Sequence, residues 1–295
     1  MASSASPSSV GDETLPHGHS GVEQIQTKNN TGFDMGKPSY HADTWWKAYD
    51  PVHPELPIVD IGSGLGSNVL AALKTGARVI AIDMSDEHLE EIRSKAAKEH
   101  NGAQGANEGD KMAERLETRW GQLPDKVPLE AESVSGIMCA QVLHFLNPDD
   151  VVTSFRNFAH WLAPGGVLVV LVCSHYQKLC YGIPGKVAAI DAATEKDPEG
   201  FHGFTPAGKS SQEMFDAMLE SVPAEVRAAV PGRSQQFQTF APPQLRAVAI
   251  KCGLEVDLVE FADGRLSNYP VFLYGEKEEE RGREQVVLVA RKPKM

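Results

Sequence analysis

The run Ile58-Val59-Asp60-Ile61-Gly62-Ser63-Gly64-Leu65-Gly66-Ser67 constrains this chain more than any other segment. A short apolar strand pattern ends in glycines spaced G-x-G-x-G, and a helical pattern over Asn68 to Leu73 follows, stopped by Gly76. A strand that turns through glycine into a helix brings bare backbone and free helix N–H groups to one place. Twenty-one residues after Gly62, Asp83 closes a second strand pattern, Ala77 to Ile82. A carboxylate there can accept hydrogen bonds from two vicinal ribose hydroxyls.

Strand and helix patterns alternate from that point on. Ser85 caps a helix with Leu89, Ile92 and Ala96 on one face. Residues 101–110, rich in Gly and Asn, read as a loop, and Leu116 to Trp120 and Val134 to Ala140 read as strands. Pro148 opens a helix with Val151, Phe155, Phe158 and Leu162 at helical spacing, which Pro164-Gly165-Gly166 ends. Val167 to Cys173 is a β-branched strand buried on both faces. Pro242 opens another helix, with Leu245, Val248, Ala249 and Cys252 inward, and Leu254 to Phe261 and Gln285 to Ala290 are late strands. The pattern predicts an α/β fold with a doubly wound parallel sheet.

The alternation fails between Ser174 and Ala241, so residues 174–241 are expected to be a helical cap inserted over the carboxyl edge of the sheet. Residues 1–30 read as a flexible tail. Residues 31–295 form a single domain, opening with an aromatic segment, 31–56, that holds Phe33, Tyr40, Trp45, Trp46 and Tyr49. The charge run Glu276 to Glu280 reads as a solvated loop.

Asp and Glu number 40 against 28 Lys and Arg, a formal charge of −12, which disfavours a nucleic-acid partner. The longest apolar run, Val167 to Cys173, is far too short to span a bilayer. The start of the chain lacks the pattern of a secretory or transit signal. Cys139, Cys173, Cys180 and Cys252 form no C-x-x-C pair and read as reduced thiols, which points to a cytoplasmic protein. His17 and His19 stand without further ligands, so no metal is expected.

The G-x-G-x-G spacing, with Asp60 two residues ahead of Gly62, resembles the nucleoside-methionine loop of class I S-adenosylmethionine-dependent methyltransferases. Ala77 to Ser85 resembles the family's second motif, in which the acid holds the ribose and the next apolar residue covers the adenine. Ser133 to Leu146 resembles the fourth-strand motif. Leu162-Ala163-Pro164-Gly165-Gly166-Val167-Leu168 resembles the L-x-P-G-G-x-L turn before strand five, and Val287 to Pro293 the last strand and tail. Two positions depart from the family: Ser135 stands where an Asp often opens strand four, and Gly121-Gln122-Leu123 where an acidic residue commonly follows strand three.

The resemblance implies a seven-stranded, mostly parallel sheet with an antiparallel last strand, and S-adenosylmethionine as cofactor. It assigns the cofactor to Asp60, Gly62, Ser63, Gly64, Gly66, Asp83 and Met84, with Gln122, Leu123, Cys139, Gln141 and Tyr40 completing the site. His144 after strand four, and His175 and Tyr176 after strand five, are the candidates for acceptor-side chemistry. The expected reaction is in-line methyl transfer to a small-molecule acceptor, with no nucleic-acid or membrane partner. Two other readings stay open: a nicotinamide-nucleotide oxidoreductase, which the glycine spacing disfavours, and a non-catalytic subunit that keeps the fold.

Overall fold

A computed structural model describes residues 25–26, 33–34, 36–51, 53–102, 112–220, 236–264 and 282–294. Seven strands form the main sheet: β1 (Ile58–Ile61), β2 (Val79–Asp83), β3 (Leu116–Trp120), β4 (Val134–Ala140), β5 (Leu162–Cys173), β6 (Glu255–Ala262) and β7 (Gln285–Arg291). Their order across the sheet is β6-β7-β5-β4-β1-β2-β3. β1 to β5 run parallel, and β7 is antiparallel to both β5 and β6. The strand order reverses between β1 and β4, and such a switch point opens a crevice at the carboxyl ends of the strands.

Two apolar layers hold helices against the sheet. On one face Val59, Ile61, Ile137 and Leu168 pack with Phe155, Phe158 and Trp161 of α4 (Pro148–Trp161), and with Leu245 and Val248 of α7 (Pro242–Lys251). On the other, Ile58, Val79 and Met138 pack with Trp45 of α1 (Ala42–Trp46), Val69 and Leu73 of α2 (Ser67–Lys74), and Leu89 and Ile92 of α3 (Asp86–Gly102). Strands covered on both sides read as continuous apolar runs. β5 does so: Val167 to Cys173 is buried throughout.

Several boundaries differ from the sequence pattern. α4 ends at Trp161, and Leu162 pairs with Val134 as the first residue of β5. Ala163 to Gly166 then bulge out of the ladder, because Gly136 pairs next with Val167. The turn is held by hydrogen bonds from Gly165 N to Lys292 O and from Lys292 N to Gly166 O. α3 runs on through Gly102, into the expected loop. β2 starts at Val79 rather than Ala77. Ile25–Gln26 pairs with Phe33–Asp34, across the expected end of the tail at residue 30. The charge run 276–280 lies outside the described residues.

The segment after β5 contains α5 (Lys186–Lys196), α6 (Lys209–Glu220) and a ribbon pairing Gly203–Thr205 with Phe237–Thr239. It is joined to the carboxyl end of the sheet. Phe240 N donates to Cys173 O, Gln236 Nε2 donates to Phe145 O, and the Phe237 ring stands 5.0 Å from the His144 ring.

Candidate functional site

The three glycines of the loop are required for three different reasons. Each has a positive φ: +75° at Gly62, +52° at Gly64 and +89° at Gly66. A Cβ on Gly62 would lie 2.2 Å from Val142 Cγ2, so this glycine lets β1 approach the turn after β4. A Cβ on Gly66 would lie 2.7 Å from Ile92 Cγ1, so this glycine lets α3 close on the loop. A Cβ on Gly64 would meet nothing within 4 Å. Two glycines therefore serve packing, and the middle one faces open space. Ser63, 7% exposed, donates through its hydroxyl and its N–H to Ile82 O, which ties the loop to the end of β2.

Asp83, at the end of β2, is 6% exposed. Its Oδ2 accepts from Gly64 N at 2.9 Å, and its Oδ1 accepts from Ser85 N at 2.9 Å. His88 Nδ1 lies 3.1 Å from the same Oδ1. His88 is 1% exposed, and its Nε2 has no hydrogen-bond partner within the protein. A carboxylate has about four lone-pair positions. Three are occupied, which fixes the orientation of the carboxylate and leaves one position. The sequence reading did not include His88, although a helix residue near the start of α3 leans back towards the chain that precedes it.

Beyond Asp83, Met84 is 50% exposed and Trp120 is 45% exposed, and Trp120 Nε1 donates to Met84 O at 2.9 Å. Gly121 N donates to Asp83 O, which holds the turn after β3 against the end of β2. Leu123 is buried and Gln122 is exposed, its backbone paired with Lys126. This side of the cleft thus presents apolar faces and one free amide side chain. Trp120 is a second residue that pattern reasoning passed over, since it counted only as a strand residue.

The other side of the cleft lies at the ends of β4 and β5. Asp60 and Cys139 are buried side by side in the strands, and burial together with the Asp60 charge pushes the Cys139 thiol upward. Gln141 has φ +59°, a left-handed conformation that L residues seldom adopt. Its N donates to Leu171 O at 2.7 Å and its Oε1 accepts from Cys173 Sγ at 3.4 Å, while its Nε2 is buried without a partner within the protein. Tyr40 packs with Ala140 against Leu171, Ala262 and Val287, so the aromatic segment does reach this end of the sheet.

The three candidates for acceptor-side chemistry fall into two places. His144 is 5% exposed between Phe145 and Phe237, with Nδ1 3.6 Å from Cys173 Sγ. Burial lowers its pKa to about 3, so at neutral pH it is an uncharged and weak base. His175 and Tyr176 converge on Asp191 of α5: Nε2 of His175 is 2.8 Å from Asp191 Oδ1, and the Tyr176 hydroxyl donates to that oxygen at 2.7 Å. Burial lowers the His175 pKa, against the opposing pull of Asp191. Burial and the Asp191 hydrogen bond push Tyr176 up to about 12. The Arg283 guanidinium lies 4.2 Å over the Tyr176 ring and 4.6 Å over that of Phe261.

Residues 59–170 match the family model described as a methyltransferase domain. That match covers the glycine loop, Asp83 and the L-x-P-G-G-x-L turn, in a sheet of order β6-β7-β5-β4-β1-β2-β3. Residues 59–170 are a methyltransferase domain of the class I, S-adenosylmethionine-dependent family. A ribosomal protein L11 methyltransferase from Desulfitobacterium hafniense is 33% identical over 100 residues, 34% of this chain and 28% of that protein. The chain therefore spans well under half of that relative's length. A SAM-dependent methyltransferase from Methanosarcina mazei superposes with a TM-score of 0.51 at 16% identity, over 84% of this chain and 99% of that one. A geranyl diphosphate C-methyltransferase from Streptomyces coelicolor A3(2) gives 0.51 at 14% identity, over 85% and 78%. At these identities the two structures share the methyltransferase fold with this chain. The cofactor of the family, S-adenosylmethionine, suits the methyltransferase cleft described above: open space at Gly64, an oriented carboxylate at Asp83, and the unpartnered amide nitrogen of Gln141.

Proposed function

We propose that the protein transfers a methyl group from S-adenosylmethionine to a small-molecule acceptor. The observation that carries this reading is the Asp83 carboxylate at the end of β2, oriented by Gly64 N of the glycine loop. When bound, the cofactor supplies a methyl group already activated by the positive sulfur. Asp83 would receive a ribose hydroxyl at its remaining lone-pair position, and Met84 and Trp120 would flank the adenine. Gln141 would hold the methionine end through its amide nitrogen. Gly62, Ser63 and Gly66 shape the loop by their packing, and Asp60 and Cys139 support it from the strands. What remains for the protein is to align an acceptor and exclude water.

A small acceptor is supported by what surrounds the ends of β4 and β5. The segment after β5 is joined there through Phe240, Gln236 and Phe237. The aromatic segment reaches the same place through Tyr40. We assign the segment after β5 as a cap that carries acceptor contacts, with His175, Tyr176 and Asp191 as its polar cluster. His144 lies beneath it as a neutral packing group. The charge of −12 argues against a nucleic-acid acceptor. Among the described residues no helix is long and apolar enough to cross a membrane, and the cysteines are free, in keeping with a cytoplasmic enzyme.

Thermal-shift measurements with S-adenosylmethionine, S-adenosylhomocysteine and NAD test the cofactor. Stabilisation by the first two supports the reading, and stabilisation by NAD alone overturns it. Radiolabelled methyl donor incubated with fractionated cell extract then tests the acceptor. Label in the fraction below protein size supports a small molecule; label confined to protein would move the acceptor to the class named for the Desulfitobacterium relative.

A further inference from the structure

Arg283 reaches the carboxyl edge of the sheet on a fixed backbone. Ser174 Oγ donates to its carbonyl oxygen, and Ser174 N donates to Glu284 O at 2.9 Å. The Glu284 carboxylate, 1% exposed, accepts from Gly264 N and Gly282 N, which holds the chain just ahead of Arg283. The guanidinium stands in the corner between the rings of Tyr176 and Phe261, whose centroids are 5.3 Å apart with their planes at 78°. Stacking on rings covers the faces of a guanidinium and leaves its edge, a fork of N–H donors that matches a carboxylate or a phosphate. Arg283 is exposed, and it makes no ion pair among the described residues. Asp191 is engaged through Oδ1 with His175 and Tyr176, and the Glu284 oxygens with backbone N–H groups. The position of this corner follows from the ladder. β7 begins at Gln285, which pairs with Cys173 at the end of β5. On the other side of β5, Gln141 N donates to Leu171 O. One strand therefore separates the chain at Arg283 from the chain at Gln141, and two strand spacings amount to about 10 Å.

We propose that Arg283 anchors an anionic group of the acceptor, a carboxylate or a phosphate, at a place apart from the atom that receives the methyl. This rests on the methyl-transfer reading above, with the acceptor at the ends of β4 and β5. The guanidinium edge donates two parallel N–H bonds to two oxygens of the anion, while Tyr176 and Phe261 keep its plane from turning. A neutral molecule of the same shape forfeits those bonds, so the corner selects for charge. The formal charge of −12 repels anions on average, but exposed charges are screened beyond about 8 Å at physiological salt, so the unpaired cation decides locally. The anion takes no part in the transfer and is still present on the methylated product.

Two measurements on the full chain test this. In the first, the side-chain Nε–H signals of ¹⁵N-labelled arginine are followed by nuclear magnetic resonance, the Arg283 signal assigned as the one missing from Arg283→Lys. Inorganic phosphate or acetate replaces chloride at constant ionic strength. A saturable shift of the Arg283 signal with either anion supports the proposal, and no saturable shift with both overturns it, whatever the activity. In the second, label transferred from S-adenosylmethionine into the small-molecule fraction of cell extract is passed over an anion exchanger at alkaline pH, where amines lose their charge. The labelled product should be retained. Retention abolished by phosphatase marks a phosphate, retention that survives it marks a carboxylate, and unretained label overturns the proposal. Arg283→Met keeps an apolar stem against both rings, so its melting temperature and its affinity for S-adenosylhomocysteine should stay at wild-type values. Its label transfer should fall about tenfold or more in dilute extract and recover in concentrated extract, the pattern of weakened acceptor binding, with Arg283→Lys between the two. Undiminished transfer by Arg283→Met, or a loss of cofactor affinity alongside it, overturns the proposal. Wild-type protein that labels no small molecule overturns the reading of a small-molecule acceptor instead, and the anion titration still decides Arg283.

Discussion

His88 Nδ1 stands 3.1 Å from Asp83 Oδ1, and both side chains are buried. With the ribose at Asp83 as proposed, the contact makes His88 a positioning residue, because it would act on the ribose through the carboxylate. Replacing His88 with Leu removes one donor and frees the carboxylate to rotate. Affinity for S-adenosylhomocysteine should fall about tenfold, or ~1.4 kcal/mol, by calorimetry. His88→Asn, which keeps a donor, should recover part of the loss. Equal affinity in the Leu variant would show that Gly64 N and Ser85 N orient Asp83 without help.

Asp83→Ala should weaken the same binding far more. It deletes the proposed charge-assisted hydrogen bond to the ribose, about 1.5–3 kcal/mol, and leaves the Gly64 and Ser85 N–H groups without their acceptor. A folded variant with wild-type affinity would remove Asp83 from the ribose site.

The glycines of the loop should separate stability from binding. Gly62→Ala drives a methyl group into Val142 and should lower the melting temperature clearly, by about 4 °C or more if the cost exceeds ~2 kcal/mol. Adding Val142→Ala should recover part of that loss. Gly64→Ala meets no neighbour and carries only the backbone strain of a positive φ, about 1–2 kcal/mol. Its effect should be on cofactor affinity, because the new methyl enters the open space. If Gly64→Ala bound the cofactor as wild type does, that open space would not be the ligand's.

His144 should make the protein sensitive to acid. Its folded-state pKa is lowered to about 3 by burial, from 6.5, so the uncharged form is favoured on folding. That contribution is complete above pH 6.5. It is lost as the pH falls towards 3, by about 1.4 kcal/mol for each pH unit in between. Urea unfolding of the wild type against His144→Phe, from pH 7 to pH 4, measures it. The Phe variant, able to stack with Phe145 and Phe237, should show a shallower loss by about one proton's slope.

Sequence alone determined the elements whose signals are local. G-x-G-x-G with Asp83 after it, Pro148 and Pro242 at helix starts, and the β-branched run to Cys173 each depend on neighbours within a turn or a strand, so periodicity and backbone preference expose them. The loop and strand end that carry Gly64, Asp83 and Met84 follow from the same short-range signals. Tertiary structure decided the rest. That Gly62 is packed while Gly64 has open space beside it depends on Val142, a residue about eighty positions away in the chain. Asp191 meets His175 and Tyr176 only because the segment after β5 folds back on its own start. Leu162 leaves the helical face it fits by spacing, because a ladder partner at Val134 outweighs one more turn of α4. His41, with φ +60°, is the clearest case. Nothing in Ser39-Tyr40-His41-Ala42 marks a left-handed residue, and the strain is sustained by anchors on α2 and on the end of β5, which local sequence does not encode.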